Sequence, residues 1–290
     1  MTQLFEILVS GITIGSVYFL IAVGFSLIYG VSRVLVYSYG SFFTWGAYIA
    51  WVLAVGVFHL PYIVVFLLAI PIMAGLGILL ERVVVRPLRT RPAFDWNVLL
   101  ATVGVALFLD NLAQVIFGAR TKSLPALLEG TVQIGQIVIS SQQITMLVLA
   151  AVFGIGLTVV LNKTKVGMAM RAVAQDDTGA KIVGIHINRI YMITFGISAA
   201  LCGVGGILLA PRFFIKPMGG WNFLVKALII VIVGGLGSIK GTLLGAFLLG
   251  ILEAYIGWQF GLMWVLPFWF IVLLIILLIR PQGLLGKDIA

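Results

Sequence analysis

Asp110, Asn111 and Glu253 stand inside otherwise apolar stretches of the chain. A carboxylate at the centre of a bilayer costs about 2.5–3.5 kcal/mol on insertion scales, so such groups face a cavity or a partner. Two readings of the three residues follow. They form a buried polar pair or snorkel to the interface, or they line a path for a polar solute. Lys226, near the outer end of its own apolar segment, can neutralise a carboxylate in either case. One outer-half carboxylate per helix, with no partner at the midplane, is a thin basis for a proton relay.

The other residues that might suggest chemistry do not assemble. His59 and His186 are the two histidines and lie far apart, which excludes a His-x-x-x-His zinc pair and leaves both as loop residues. No serine has a histidine and a carboxylate on its own side of the chain, so no hydrolytic triad is expected. Gly237-Ser-Ile-Lys-Gly241-Thr resembles a phosphate loop only superficially, because the Gly-Lys-[Ser/Thr] ending is missing. Its glycines instead continue to Gly245 at intervals of four and predict a close helix-packing face, with Gly11 and Gly15 as a weaker one. The single cysteine, Cys202, cannot form an internal disulfide. The reading is of a chain that is not an enzyme and binds no cofactor or metal of its own.

The elements that must hold these residues are membrane helices. Glu6 and Arg33 bracket 26 uncharged residues, and similar runs recur at Val34–Leu80, Gly130–Asn162, Ile190–Pro211 and Ala254–Ile279. A helical crossing needs about 20 apolar residues. The chain is 62% hydrophobic and 9% charged, which excludes an ordinary soluble domain at roughly 25% charged. The net charge of +9 collects in a few short loops, the pattern of membrane orientation rather than of nucleic-acid binding. No cleavable signal peptide is expected, because a basic n-region is missing and the first apolar run is long enough to span.

The predicted architecture is an all-α polytopic membrane protein of about 8–10 crossings, read as one transmembrane domain over 1–290. Nine segments are expected: 7–31, 36–57, 61–80, 97–117, 139–161, 191–210, 223–238, 241–259 and 264–280. The seventh is short and reads as a tilted half-helix or a re-entrant piece. With nine crossings, the basic segments 81–95 and 162–190 and the tail with Arg280 and Lys287 share one face, which the positive-inside rule makes cytoplasmic. The N-terminus and the loops 118–136 and 211–222 then face outward.

Segment 162–190 mixes apolar and charged residues at helical spacing. Met168, Ala172 and Val173 are expected on one face, and Ala180, Val183 and Gly184 in a second short element. Asp176 or Asp177 is the expected N-cap, because a carboxylate accepts from free helix-start N–H groups. A segment of this length with its own amphipathic structure is read either as a surface helix at the lipid boundary or as a docking element for a cytoplasmic partner.

Four strings in order along the chain carry a family resemblance. They are Glu81-Arg82-Val-Val-Val-Arg86-Pro87-Leu88-Arg89, Gly167-xxx-Arg171-Ala172-x-Ala174-Gln175-Asp176-xxx-Ala180-xxx-Gly184-Ile185-xxx-Arg189, Gly234-Gly235-Leu236-Gly237-Ser238-xx-Gly241-xxx-Gly245-Ala246, and Arg280-Pro281-x-Gly283-Leu284-Leu285-Gly286. Almost end to end, the chain resembles the LivH-like membrane permease subunits of ATP-binding-cassette importers for branched-chain amino acids.

The resemblance implies half of a translocation pathway, built from inverted repeats with broken helices. It implies four kinds of surroundings: a second related permease, two cytoplasmic ATPase subunits that hydrolyse the ATP, an extracytoplasmic solute-binding protein, and the lipid of a bacterial or archaeal cytoplasmic (inner) membrane. A coupling helix seated in the ATPase falls on about Arg171–Gly184, with Arg171, Ala172, Gln175, Asp176, Asp177, Ala180 and Gly184 as its residues. Arg120, Lys122, Arg212 and Lys216, the basic residues of the outward loops, are expected to meet acidic patches of the binding protein. Tyr37, Tyr39, Asp110, Asn111 and Glu253 are the expected path residues, with the tyrosines as an apolar constriction or as packing between helices. Two segments depart from the family pattern. Val36-Tyr37-Ser38-Tyr39-Gly40 replaces Asn-Phe-Ala-His-Gly, and Asp110 stands where Gln is common. Branched-chain or other hydrophobic amino acids lead as substrates, and aromatic acids, amides and urea stay open. An ion-gradient-driven secondary transporter is the alternative of another class.

Overall fold

The computed structural model describes residues 2–128, 130–134 and 137–286; Lys287 of the tail lies outside them. Along the chain run α1 (Thr2–Ser32), α2 (Tyr39–Trp51), α3 (Tyr62–Leu80), α4 (Arg86–Leu88), α5 (Phe94–Phe117), α6 (Ser141–Lys163), α7 (Lys165–Gln175), α8 (Asp177–Ile182), α9 (Ile187–Leu209), α10 (Gly220–Gly234), α11 (Ile239–Gln259) and α12 (Val265–Ile279). Two π-helical turns, Val52–Gly56 and Glu81–Val85, follow α2 and α3.

All nine expected segments are helical, and the architecture is that of an α-helical polytopic membrane protein. Among the described residues, seven helices are long and apolar enough to cross a bilayer. The remaining two segments became α2, of 13 residues, and α10, of 15 residues. At 1.5 Å per residue α10 is about 22 Å long, short of a hydrocarbon core of ~30 Å. Charge sorting still requires α10 to reverse the chain, whereas α2 alters only which face the N-terminus and Arg33 take. Counting only the seven long ones would set segments 81–95 and 162–190 opposite Arg280, against the positive-inside rule.

One segment departs from an all-helical reading. Within and just beyond the outward loop expected over 118–136, β1 (Thr131–Ile134) pairs antiparallel with β2 (Ile137–Ser140), Thr131 opposite Ser140. The β-branched residues clustered there favour a pleated ribbon over a loop.

The helices gather into two compact units: Met1–Ser26, Pro125–Gly154 and Val225–Ala290 form one, Leu27–Leu124 and Ile155–Leu224 the other. In the second unit, α9 packs against both α2 and α3. Close approach explains the small residues there. A Cβ on Gly46 of α2 would land on the backbone of Gly203 in α9, and one on Gly77 of α3 would meet the Phe195 carbonyl. In the first unit, a Cβ on Gly250 of α11 would meet Gly11 and Gly15 of α1, so the weaker small-residue pair is a real packing face. The stronger expected triplet is corrected at one member. Ser238 caps α11, its Oγ accepting from the Gly241 N–H at 3.2 Å. The helix therefore starts at Ile239 and leaves Gly237 in the preceding turn at φ +78°. Gly241 and Gly245 do sit tightly, against Gly234 and the Ile230 carbonyl.

Candidate functional site

Glu253 of α11 is engaged at both carboxylate oxygens. Lys226 of α10 reaches both of its oxygens at 2.8 Å, and the Tyr18 hydroxyl of α1 donates to Oε1 at 2.9 Å. Lys226 Nζ also donates to the Tyr18 hydroxyl. The ammonium lies 4.8 Å from the Tyr18 ring centroid and 5.3 Å from that of Trp269, and the two rings meet edge to face. All four side chains are buried. Opposite charge, hydrogen bonds and aromatic faces together offset the desolvation of the ion pair.

Asp110 and Asn111 diverge. Val98, Thr102, Ala106, Asp110 and Ala113 form the buried stripe of α5. There Asp110 accepts from the Trp221 indole N–H at 2.7 Å. Asn111 lies one residue, about 100°, around the helix. It is exposed and donates to the Leu107 carbonyl at 2.7 Å, satisfying itself on its own helix. The two therefore do not form a polar pair with each other.

Tyr37, Ser41 and Trp45 stitch the start of α2 to that stripe. The Tyr37 N–H donates to Thr102 Oγ1 at 3.1 Å, Ser41 Oγ to the Ala106 carbonyl at 3.3 Å, and Trp45 Nε1 to the Leu109 carbonyl at 3.1 Å. Tyr39 faces the other way and is wholly buried. Its hydroxyl donates to the Ser198 carbonyl of α9 at 3.0 Å, and its own carbonyl accepts from Cys202 Sγ at 3.2 Å. The structure thus brings Asp110 beside Trp221, and Tyr39 beside α9, within the second unit, while Glu253 belongs to the first.

Segment 162–190 is helical twice over. Thr164 caps α7 by accepting from the Gly167 N–H at 3.1 Å, and Asp176 caps α8 by accepting from the Thr178 N–H at 3.0 Å. Asp176, rather than Asp177, is therefore the N-cap. The buried face of α7 is Gly167, Met170 and Val173; Val173 lies on it as expected, but Met168 is 62% exposed, one residue or about 100° around the helix from Gly167. Ala180 is buried, but Val183 and Gly184 are exposed. Gly184 ends α8 at φ +85°, its N–H donating to the Lys181 carbonyl and the Ile185 N–H to that of Ala180. This paired closure requires a left-handed residue, which glycine adopts without a Cβ penalty. Arg171 turns back to donate to the Leu161 carbonyl at 2.7 Å and Asn162 Oδ1 at 2.9 Å, fastening α7 to the end of α6. Gln175, Asp176 and Asp177 are exposed, and Ala172 is half-buried.

Beside α8 lies a feature that spacing alone did not give. Arg82, Arg86 and Arg89 share an open basin of about 740 Å³ with Asp177, Lys181 and Arg189. Arg89 is fixed within it. It donates to Glu81 Oε1 at 2.6 Å and Asn188 Oδ1 at 2.8 Å and stacks 3.9 Å over the Tyr191 ring. Burial lowers the Arg89 pKa from its ordinary value, and Glu81 opposes that shift. The sequence showed two basic segments on one face, but nothing in their spacing shows that they converge.

The two loops expected to face outward also meet. Lys122 and Ile215 exchange backbone hydrogen bonds of 2.9 Å in each direction. Lys122 Nζ lies 4.7 Å from the Trp51 ring centroid, whereas Arg120, Arg212 and Lys216 are exposed.

Residues 7–279 match the family described as branched-chain amino acid transport system / permease component. The chain belongs to this permease family. It is 33% identical to the high-affinity branched-chain amino acid transport system permease protein BraD of Pseudomonas aeruginosa, over 97% of this chain and 95% of BraD. It is 30% identical to LivH of Escherichia coli K12, over 96% of this chain and 94% of LivH. A probable branched-chain amino acid transport permease protein LivH from the archaeon Methanocaldococcus jannaschii is 29% identical, over 97% and 92%. No solved structure matches. The chain is accordingly a multi-pass permease component of a membrane transport system.

Proposed function

We infer that this permease forms half of the translocation pathway of an ATP-binding-cassette importer for branched-chain amino acids. The observation that carries this reading is its likeness to BraD and LivH over nearly the whole of each chain, cytoplasmic segment included. A second related permease completes the pathway, and two ATPase subunits bind and hydrolyse the ATP. An extracytoplasmic binding protein delivers the solute. Residues 171–184 form the coupling element. Its support is physical: beyond the end of α6, Met168, Ile182 and Val183 are 62%, 81% and 76% exposed on a soluble element, an apolar surface suited to a protein partner. Arg171 braces that element from behind, and Gln175, Asp176 and Asp177 face outward from it. Arg120, Arg212 and Lys216 speed encounter with the binding protein through complementary charge. Asp110 and Glu253 tune the pathway from buried positions, with Tyr39 as part of its closed wall.

The test is uptake of radiolabelled leucine into vesicles holding the assembled importer and its binding protein. Uptake should require enclosed ATP, and excess isoleucine or valine should compete. Uptake without ATP that collapses with an uncoupler would overturn the importer reading. Competition by an aromatic acid, an amide or urea, without competition by valine, would overturn the substrate assignment alone.

A further inference from the structure

The string Arg280–Gly286 stands out in the sequence and takes no part in the sites described above. The structure sets it against the C-terminal end of α10. An α-helix leaves its last four carbonyls without intrahelical donors. In α10 these belong to Val231, Ile232, Val233 and Gly234, and all four are met. The Gly235 N–H reaches the Val231 carbonyl at 2.9 Å and that of Ile232 at 3.2 Å. The other two are met from the tail: the Leu284 N–H donates to Val233 at 2.8 Å and the Leu285 N–H to Gly234 at 3.1 Å. The two segments touch main chain to main chain. A Cβ on Gly283 would lie 2.6 Å from both the Gly235 nitrogen and the Ile232 carbonyl oxygen, and one on Gly235 would lie 2.4 Å from the Gly286 nitrogen. Gly283 and Gly235 hold φ of +81° and +104°, left-handed backbone that glycine adopts without a Cβ penalty.

What the tail holds is the helix that carries Lys226. With 15 residues α10 is too short to cross the hydrocarbon core, so its carbonyls need donors from the protein rather than from water. Lys226 lies two turns before Val233, about 10 Å along the same helix, and its ammonium holds both oxygens of Glu253 at 2.8 Å. Fixing the position of Val233 therefore fixes where Lys226 meets Glu253. Helix α12 grips α10 at both levels. Its Trp269 ring lies 5.3 Å from the Lys226 ammonium, and the tail in which it ends closes the last carbonyls. All of these residues belong to the first unit.

We propose that Arg280–Gly286 is a positioning clasp for α10, whose main chain sets the height of that helix and, through it, the Lys226–Glu253 contact used in transport. Gly283, Leu284 and Leu285 are its positioning residues, and they act without touching solute. The inference rests on the reading that Glu253 tunes the pathway. The Leu285 side chain is 45% exposed, so the hold lies in its amide and not in its apolar group.

The experiment pairs hydrogen exchange with leucine uptake, both on the assembled importer in vesicles. Gly283→Ala puts a Cβ into the Gly235 contact and should speed exchange at the Leu284 and Leu285 amides roughly five- to thirtyfold, with α11 and α12 still protected. Its maximal rate of uptake should fall severalfold while the ATPase subunits stay bound. Truncation after Gln282 removes the clasp without forcing a Cβ against α10, and it should lose uptake in the same way even if Gly283→Ala fails to fold. Leu285→Ala keeps the amide and should match the wild type in both measurements. Glu253→Gln should itself lower uptake, and adding Gly283→Ala should lower it little further, because both changes act on one contact. Fast tail exchange with wild-type uptake would overturn the clasp, and so would losses that multiply in the combined variant. Lost uptake in Leu285→Ala with protected amides would overturn it in favour of a partner that reads the side chain. Wild-type uptake in Glu253→Gln would sink the pathway reading of Glu253 first and the clasp's role with it, which separates the two failures.

Discussion

Lys226–Glu253 and Arg89–Glu81 each join a cation to a largely buried carboxylate, and they are finished differently. In the first, both carboxylate oxygens are engaged, Tyr18 is drawn into the same network, and two aromatic faces cover the ammonium. In the second, Glu81 Oε2 and Arg89 Nε have no partner, and the arginine side chain keeps 19% of its exposure beside an open basin. The first lies among apolar helices, where an unmatched charge has no water to turn to, so every valence is closed internally. The second lies at a span terminus, and its two unpartnered atoms are buried, so it is closed less completely from within. The first pair is a lock with every valence met, and the second is one with two left over.

The sharpest break of this contrast is removal of one partner from the closed pair. Lys226→Met leaves Glu253 buried without its counter-charge and should destabilise the permease by about 3–5 kcal/mol. Lys226→Met combined with Glu253→Met removes both charges at similar volume and should recover most of that loss. Thermal unfolding of the purified importer reads both. A single variant that melts with the wild type would show that the pair locks nothing.

At the open pair the expected effect is smaller. Arg89→Lys keeps the charge near Glu81 but loses the fork that also reaches Asn188 and the stacking on Tyr191. A loss of about 1–3 kcal/mol is expected, because water and the remaining ammonium relieve part of the cost. The same melting assay applies. A loss equal to that of Lys226→Met would erase the distinction between the two pairs.

What the sequence disclosed and what it withheld divide along physical lines. Nine apolar runs became helices because length and hydropathy are properties of contiguous residues. Asp176 as a cap was legible for the same reason, since a cap acts on amides two or three residues away. Partners across space were not legible in detail. Lys226 was expected near a carboxylate, but the choice of Glu253, and of the Trp221 indole for Asp110, follows from how helices face one another. The α5 stripe from Val98 to Ala113 was a usable signal, because small and polar residues at helical spacing mark a packed face and would have set Asn111 apart from Asp110. The hairpin at 131–140 also had a signal in its clustered β-branched residues, masked by the strong membrane pattern around it. Convergence of Arg82, Arg86 and Arg189 had none.

Helix α8 carries the smallest effects. It has six residues, too few to persist by propensity alone, so its two ends decide whether it exists. Gly184→Ala forces a Cβ into left-handed backbone and should cost roughly 1–2 kcal/mol. Asp176→Ala removes the N-cap and should cost about 1 kcal/mol. Both costs fall on local opening rather than on the melting temperature, because α8 contributes only Ala180 as a buried residue. Hydrogen exchange should therefore speed up at the amides of 177–185 by roughly five- to thirtyfold while the membrane helices stay protected. If this element couples the permease to its ATPase, substrate-stimulated ATP hydrolysis should fall in the same order, Gly184→Ala below Asp176→Ala below wild type. A bulkier Gly184→Trp adds steric conflict to backbone strain and cannot separate the two, whereas alanine isolates the strain. Faster exchange with fully retained ATPase stimulation would mean that α8 is a surface helix whose order does not matter to transport, and the coupling role would have to move to another part of the segment.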